Sequence, residues 1–235
     1  MRISDFTTLS FDCYGTLVDW ETGILDRLRP WIDRHHRGVT DSEVLKAFGD
    51  AESDLQAETP AARYPDILAR VHGRIADRLG MARDAEMAAG FGHSVGDWPV
   101  FDDTHDALVD LGGGHRLVIL SNVDRASFSR TQARIGVEFD AVYTAEEIGS
   151  YKPDPRNFAY LIEHERLAGV EPDRILHVGQ SLFHDHEPAA RAGLARCWIN
   201  RPSPRADLGA ARPPMSDVDV DLQFSSMAGL AAFGR

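Results

Sequence analysis

The order of apolar runs predicts an α/β chain, a doubly wound parallel sheet wrapped by helices and interrupted early by an all-helical insertion. Three observations carry that reading. A β-rich run, Thr7 to Phe11, ends on Asp12 and breaks at once into the turn Cys13-Tyr14-Gly15-Thr16. From Asp102 onward helical and strand-type segments alternate, with strands expected at Arg116 to Ser121, Ala141 to Tyr143, Arg174 to Val178 and Ala195 to Ile199. Between these parts only helical spacing is found, which assigns residues 1–18 and 97–235 to the core and 19–96 to a helical cap inserted after the first strand.

Within the cap, Glu21 to His36 carries Ile24, Leu25, Leu28, Trp31 and Ile32 at helical spacing. Asp41 to Gln56 follows with Thr40 or Asp41 as its cap, and Tyr64 to Leu79 repeats the pattern. Beyond the core strands, Arg201 to Ser216 is rich in Pro, Ala and Arg and reads as a surface loop. Val218 to Phe224 alternates like an edge strand before a short closing helix, and no internal repeat is present.

A chain of 235 residues with 43% hydrophobic composition can bury a substantial core. Its net charge of -12, with no dense run of Lys or Arg, excludes polyanions such as nucleic acid as partners. No apolar run is long enough to span a bilayer, and Met1 to Asp5 leads into the first strand without a signal-type stretch. Cys13 and Cys197 lie in apolar strand-like runs, as buried thiols of a reducing compartment do, so a cytoplasmic location is expected. The expected partner is a small-molecule substrate, with a homodimer left open.

Each expected core strand delivers polar residues at its carboxyl end: Asp12, then Ser121-Asn122, then Tyr151-Lys152-Pro153 and finally Gln180 to Asp185. In open parallel sheets that edge is where ligands bind, so one crevice collects them all. Asp12 is the candidate nucleophile. Thr16 and Ser121 are expected to hydrogen-bond its carboxylate, Lys152 to keep it ionised, and Asp185 to serve as the remaining base.

Through FDCYGTL, LSN, SYKPDP and the aspartate ending VGQSLFHD, nearly the whole chain resembles the haloacid dehalogenase superfamily. The resemblance implies a Rossmann-like core, a helical cap after the first motif and covalent catalysis by Asp12, with Thr16, Ser121, Lys152 and Asp185 in the supporting positions. Two departures bear on the chemistry. Phosphatases of the superfamily carry a general-acid aspartate where this chain has Tyr14, and a magnesium-binding aspartate where it has Gln180, a neutral and poorer ligand for a hard cation. Both point from phosphoryl transfer toward attack at carbon, the metal-free pattern of type II 2-haloacid dehalogenases, with no cofactor and with Asn122 binding the departing group.

Those dehalogenases also hold the substrate carboxylate with a cap arginine, whereas between Arg37 and Arg63 this chain has only Lys46. Their tyrosine after the loop lysine falls at Phe158, and their serine and asparagine before the last aspartate fall at Gln180 and Leu182. On the helix Asp41 to Gln56, Leu45, Phe48 and Leu55 share an apolar face with Glu52, an acid that needs a partner. That partner is either a substrate ammonium or an ion pair within the cap. FDCYGTLVDWETGI, AESDLQAETP and HDHEPA resemble the branch of L-azetidine-2-carboxylate hydrolases, which break C–N in a strained ring where dehalogenases break C–halogen. Tyr14, Phe48, Glu52, Asn122 and Gln180 are expected to contact the substrate, Trp20 to line the pocket or pack the hinge, and His184 to shape the pocket or orient water. His184 and His186 lack the further cluster that a metal needs, and Cys13 is expected to face the core. A phosphatase and a non-enzymatic binding protein on the same fold are the competing readings.

Overall fold

The computed structural model describes residues 1–35, 38–202, 209–215 and 217–234. In chain order the elements are β1 (Thr8–Phe11), α1 (Trp20–His35), α2 (Asp41–Glu58), α3 (Tyr64–Arg78), α4 (Ala85–Gly92), α5 (Thr104–Gly112), β2 (Arg116–Ser121), α6 (Arg125–Ile135) and β3 (Ala141–Thr144). There follow α7 (Ala145–Ile148), α8 (Pro155–Leu167), β4 (Ile175–Gly179), α9 (Glu187–Arg191), β5 (Ala195–Ile199), β6 (Leu222–Phe224) and α10 (Met227–Gly234).

The six strands form one parallel sheet in the order β3-β2-β1-β4-β5-β6. Its central strands are buried on both faces: β2 reads as a near-continuous apolar run, whereas β1 and β4 bury the polar Thr8, Ser10 and His177, each of them hydrogen-bonded. The chain leaves β1 toward β2 and β3, then crosses back to place β4 on the other side of β1. Connections diverge at the β1/β4 seam, which opens a crevice beyond its carboxyl edge. Phe11 pairs with both Ile119 and Val178, so the residues that follow these three strands emerge at one level.

Helices α1 to α4, followed by α5, lie in the connection between β1 and β2. Thr40 caps α2: its hydroxyl accepts the Glu43 N–H at 3.3 Å while the Glu43 carboxylate accepts the Thr40 N–H at 2.8 Å. The apolar face of α2, with Val44, Leu45, Phe48 and Leu55, is buried with Ile67, Leu68 and Val71 of α3 in one continuous cluster. Tyr151 ties this layer to the sheet by donating its hydroxyl to the Ala62 carbonyl at 2.6 Å, and Arg63 pairs with Glu146 at 3.1 Å.

Element bounds differ from the sequence expectation by one or two residues at several places, and some differences are larger. Helix α1 starts at Trp20, and His36, its expected end, lies outside the described residues. The helical layer gains α4, whose Ala- and Gly-rich sequence gives little periodic signal. The closing strand shrinks to Leu222–Phe224, because only those residues run beside β5. Of the expected loop 201–216, residues 203–208 and 216 lie outside the described residues.

Candidate active site

The strand-to-turn break after β1 positions the first acid. Asp12 donates its N–H to the Val178 carbonyl at 2.9 Å, and the chain then turns through Gly15, whose φ of 96° is a conformation other residues adopt only with strain. The turn brings Thr16 back over Asp12, with the hydroxyl donating to Oδ2 at 2.8 Å. The Thr16 oxygen also accepts the Gln180 N–H at 2.9 Å, which leaves its proton aimed at the carboxylate.

Lys152 sits between two acids. Its Nζ donates to Asp12 Oδ1 at 3.0 Å, to Asp185 Oδ1 at 2.6 Å and to the Leu120 carbonyl at 2.8 Å, so all three ammonium hydrogens are engaged. Its backbone is clamped by Asn122, which accepts the Lys152 N–H at 2.7 Å and donates to the Lys152 carbonyl at 3.0 Å. Although burial works against its charge, the two carboxylates raise the Lys152 pKa. Burial and the neighbouring Asp185 push Asp12 upward against the pull of Lys152 and Thr16. Burial also opposes ionisation of Asp185, but Lys152 and then His177 hold it well below the usual carboxylate range.

Asp185 is fully buried in a short π-helical turn, Leu182–His186, after β4. The turn can fold back so far because Gly179 has no side chain: a Cβ there would lie 2.8 Å from the Asp185 carboxyl carbon. Asp185 Oδ1 also meets His177 Nε2 at 3.3 Å, while Oδ2 accepts the Ser181 N–H at 3.3 Å. His177 Nδ1 lies 2.9 Å from the hydroxyl of Ser10, its register partner on β1.

These groups form the floor of a cavity of about 40 Å³, measured as space open to the centre of a water molecule. Asp12, Tyr14, Trp20, Glu52, Ser121, Asn122, Lys152, Gln180, His184 and Asp185 all border it, as the sequence reading grouped them, and Tyr64 joins them from α3. Phe48 does not. It is fully buried behind Trp20, with ring centroids 5.9 Å apart, and against Phe91 at 6.1 Å, because its helix position faces the cap core. Trp20 therefore lines the pocket and packs the cap at once.

Two expected contacts are corrected. Ser121 makes no bond to Asp12: its Oγ is buried without a hydrogen-bond partner among the described residues, although the residue borders the cavity. Among the described residues Glu52 has no cation beside it. Its Oε1 accepts the Tyr64 hydroxyl at 2.5 Å, and burial pushes its carboxyl up to about 7 despite that bond, with Asp12 adding to the rise. Burial likewise pushes His184 down to about 4, so the ring is neutral at pH 7 and its Nδ1 lies 3.3 Å from the Ser181 hydroxyl.

The donor set does not suit magnesium. Tyr14 turns its hydroxyl away to Thr131 at 2.9 Å, Gln180 contributes an amide, and the Lys152 ammonium stands between the two carboxylates. Among the described residues no group of three or more His, Cys, Asp or Glu could hold a metal ion.

Sequence reasoning missed Tyr64, Ser10, His177 and Ser181. For Ser10 and His177 a signal was present, since a polar residue inside a strand buried on both faces must be hydrogen-bonded. Tyr64 had none, because its pairing with Glu52 depends on how α3 packs against α2.

Comparison with known proteins agrees with this architecture. The L-2-haloacid dehalogenase from Xanthobacter autotrophicus, solved with chloropropionic acid covalently bound, superposes with a TM-score of 0.79 at 19% identity over 97% of both chains. The glyceraldehyde 3-phosphate phosphatase of Methanothermobacter thermautotrophicus is 32% identical over 123 residues, 51% of this chain and 53% of that protein. Human haloacid dehalogenase-like hydrolase domain-containing protein 3 is 36% identical over 103 residues, 41% of this chain and 38% of that protein. These alignments thus span about half or less of the curated relatives' length. Residues 6–193, from the first strand past the turn that carries Asp185, match the haloacid dehalogenase-like hydrolases, and the chain belongs to that family.

Proposed function

We propose that this hydrolase acts without a metal on small 2-substituted carboxylic acids, displacing a leaving group from the α-carbon through an ester on Asp12. The observation that carries the reading is the Lys152 ammonium held between Asp12 and Asp185 at the β1/β4 seam. It offsets carboxylate charge where a phosphatase needs a divalent cation, and no carboxylic acid stands at Tyr14 to protonate a leaving alkoxide. The cavity, about 40 Å³, suits a substrate of a few heavy atoms. The dehalogenase of the same fold that holds covalently bound chloropropionic acid accords with this reading.

In the first step an Asp12 oxygen attacks the α-carbon, the C–X bond breaks, and the configuration inverts. Asp185 then takes a proton from water as the water oxygen attacks the ester carbonyl. The acyl C–O bond breaks, the product alkoxide takes the proton from Asp185, and Asp12, left as a carboxylic acid with one oxygen from water, releases its remaining proton to the medium to restore the carboxylate. Ser121, which borders the cavity and whose hydroxyl has no partner among the described residues, is the group that would hold the substrate carboxylate. Asn122 keeps only part of its donor capacity for a departing group, since its amide already clamps Lys152.

A second reading, C–N cleavage in a strained cyclic amino acid such as L-azetidine-2-carboxylate, is favoured by Glu52. A buried carboxyl that borders the cavity without a cation is a site for a substrate ammonium. Wild-type enzyme and Asp12→Asn are to be incubated without added metal with L-2-chloropropionate and L-azetidine-2-carboxylate. Chloride release supports dehalogenation, and a ring-opened hydroxy amino acid supports C–N hydrolysis. Neither product, together with magnesium-dependent phosphate release from a generic phosphoester, would return the chain to the phosphatases.

A further inference from the structure

One buried group in the sheet has no part in the steps above. His177 is wholly buried in β4 and lies between Ser10, at 2.9 Å from Nδ1, and Asp185, at 3.3 Å from Nε2. Ionised Asp185 can only accept, so Nε2 carries a proton toward it, and Nδ1 of the neutral ring then accepts the Ser10 hydroxyl. Resting on the ester mechanism proposed above, we infer that His177 is a positioning residue for the hydrolysis half of the reaction, holding Asp185 ionised and aimed while Lys152 is drawn to the ester.

The argument follows the charge. In the resting site Lys152 serves two carboxylates at once. Once Asp12 has become an ester it is neutral, and the strongest new demand on the ammonium is the negative charge that develops on the ester carbonyl oxygen as water attacks. A buried carboxylate deprived of its cation is costly and takes up a proton, which would disable it as a base. Two donors remain on Asp185 when Lys152 turns away: the Ser181 N–H on Oδ2 and the His177 N–H on Oδ1. Only the His177 bond shares the oxygen that Lys152 releases, and Ser10 keeps that ring from rotating. The proton of the attacking water still ends on Asp185 and then on the product hydroxyl, so His177 exchanges none.

The test separates the two half-reactions. Wild-type enzyme, Asp185→Asn, His177→Ala, His177→Gln and Ser10→Ala are mixed with L-2-chloropropionate and, separately, with L-azetidine-2-carboxylate, then quenched and analysed by mass for an adduct on the Asp12 peptide. For His177→Ala, ester formation should stay within about threefold of wild type while hydrolysis slows on the order of 10²-fold, so the adduct becomes the dominant species. His177→Gln, which returns an N–H near the position of Nε2, should restore most of that loss. Equal slowing of both half-reactions, or no adduct beyond the wild-type level, overturns the inference. If His177→Ala does not fold, Ser10→Ala carries the test: adduct accumulation supports the inference and a wild-type partition overturns it. An adduct in Asp185→Asn without one in His177→Ala overturns this inference alone, whereas no adduct in Asp185→Asn with either substrate overturns the ester mechanism and this inference together.

Discussion

Replacing Glu52 by glutamine should remove a penalty that the native protein carries at neutral pH. Burial raises the Glu52 carboxyl from its usual 4.5 to about 7, so the folded state holds this proton more tightly than the unfolded chain. Stability from the raised value is therefore complete below about pH 4.5 and is lost as pH rises through about 7. A rise of about 2.5 units corresponds to about 3.4 kcal/mol, of which about 2.5 kcal/mol falls between about pH 5 and pH 8. Glu52→Gln keeps the volume and an oxygen for the Tyr64 hydroxyl, so it removes the titration and leaves the packing. The assay is urea unfolding of both proteins at these two pH values. The wild type should lose about 2.5 kcal/mol more than the variant over the interval. Equal losses would show that Glu52 is solvated or paired with a cation in the folded protein, and the reading of the pocket as closed over a bare carboxyl would fail.

The same carboxyl makes the pH profile of catalysis report the charge of the substrate. If the substrate brings an ammonium, kcat/KM should rise through about pH 7 as Glu52 ionises; if it brings only a carboxylate, kcat/KM should fall there, and Glu52→Gln should flatten either limb. A limb that survives in Glu52→Gln assigns the titration elsewhere. Gly179→Ala should lower kcat on the order of 10²-fold with the circular dichroism spectrum unchanged, because the new Cβ would stand 2.8 Å from the Asp185 carboxyl carbon and force the base to shift. Lys152→Met should cost about 3–5 kcal/mol at neutral pH by leaving two buried carboxylates without their cation, and markedly less at acidic pH, where they protonate; urea midpoints across pH read the difference.

Much of this site is written along single strands, and that part was legible. Asp12 and Asp185 follow, and Ser121 ends, strands that β-type residues mark in the sequence, and parallel pairing of Phe11 with Ile119 and Val178 brings their ends level. What the strands could not convey was the direction of side chains across the crevice. Ser121 stands at the expected level, yet its hydroxyl bonds neither Asp12 oxygen, and these accept from Thr16 and Lys152 instead. The cap was less legible for a related reason. Helical spacing places Phe48 and Glu52 on one face of α2, but only the angle at which α2 lies over the sheet decides which of them meets the cavity. Phe48 ends behind Trp20, and Glu52 ends over Asp12 with Tyr64 as its partner.

That placement bears on how the pocket holds charge. The floor brings two carboxylates and one ammonium, an excess of one negative charge that desolvation makes expensive. A third acid from the cap would double the excess if it ionised, and its raised pKa is the response: Glu52 keeps its proton until about pH 7. A substrate ammonium would reverse that balance by letting Glu52 ionise, so its binding should release a proton to the medium; a substrate bearing only a carboxylate should bind without release or with uptake. Calorimetric titration of Asp12→Asn in buffers of different ionisation enthalpy counts those protons directly. L-azetidine-2-carboxylate that binds without proton release near pH 6 would show that Glu52 does not meet the ring nitrogen, and would remove the observation that favours C–N cleavage.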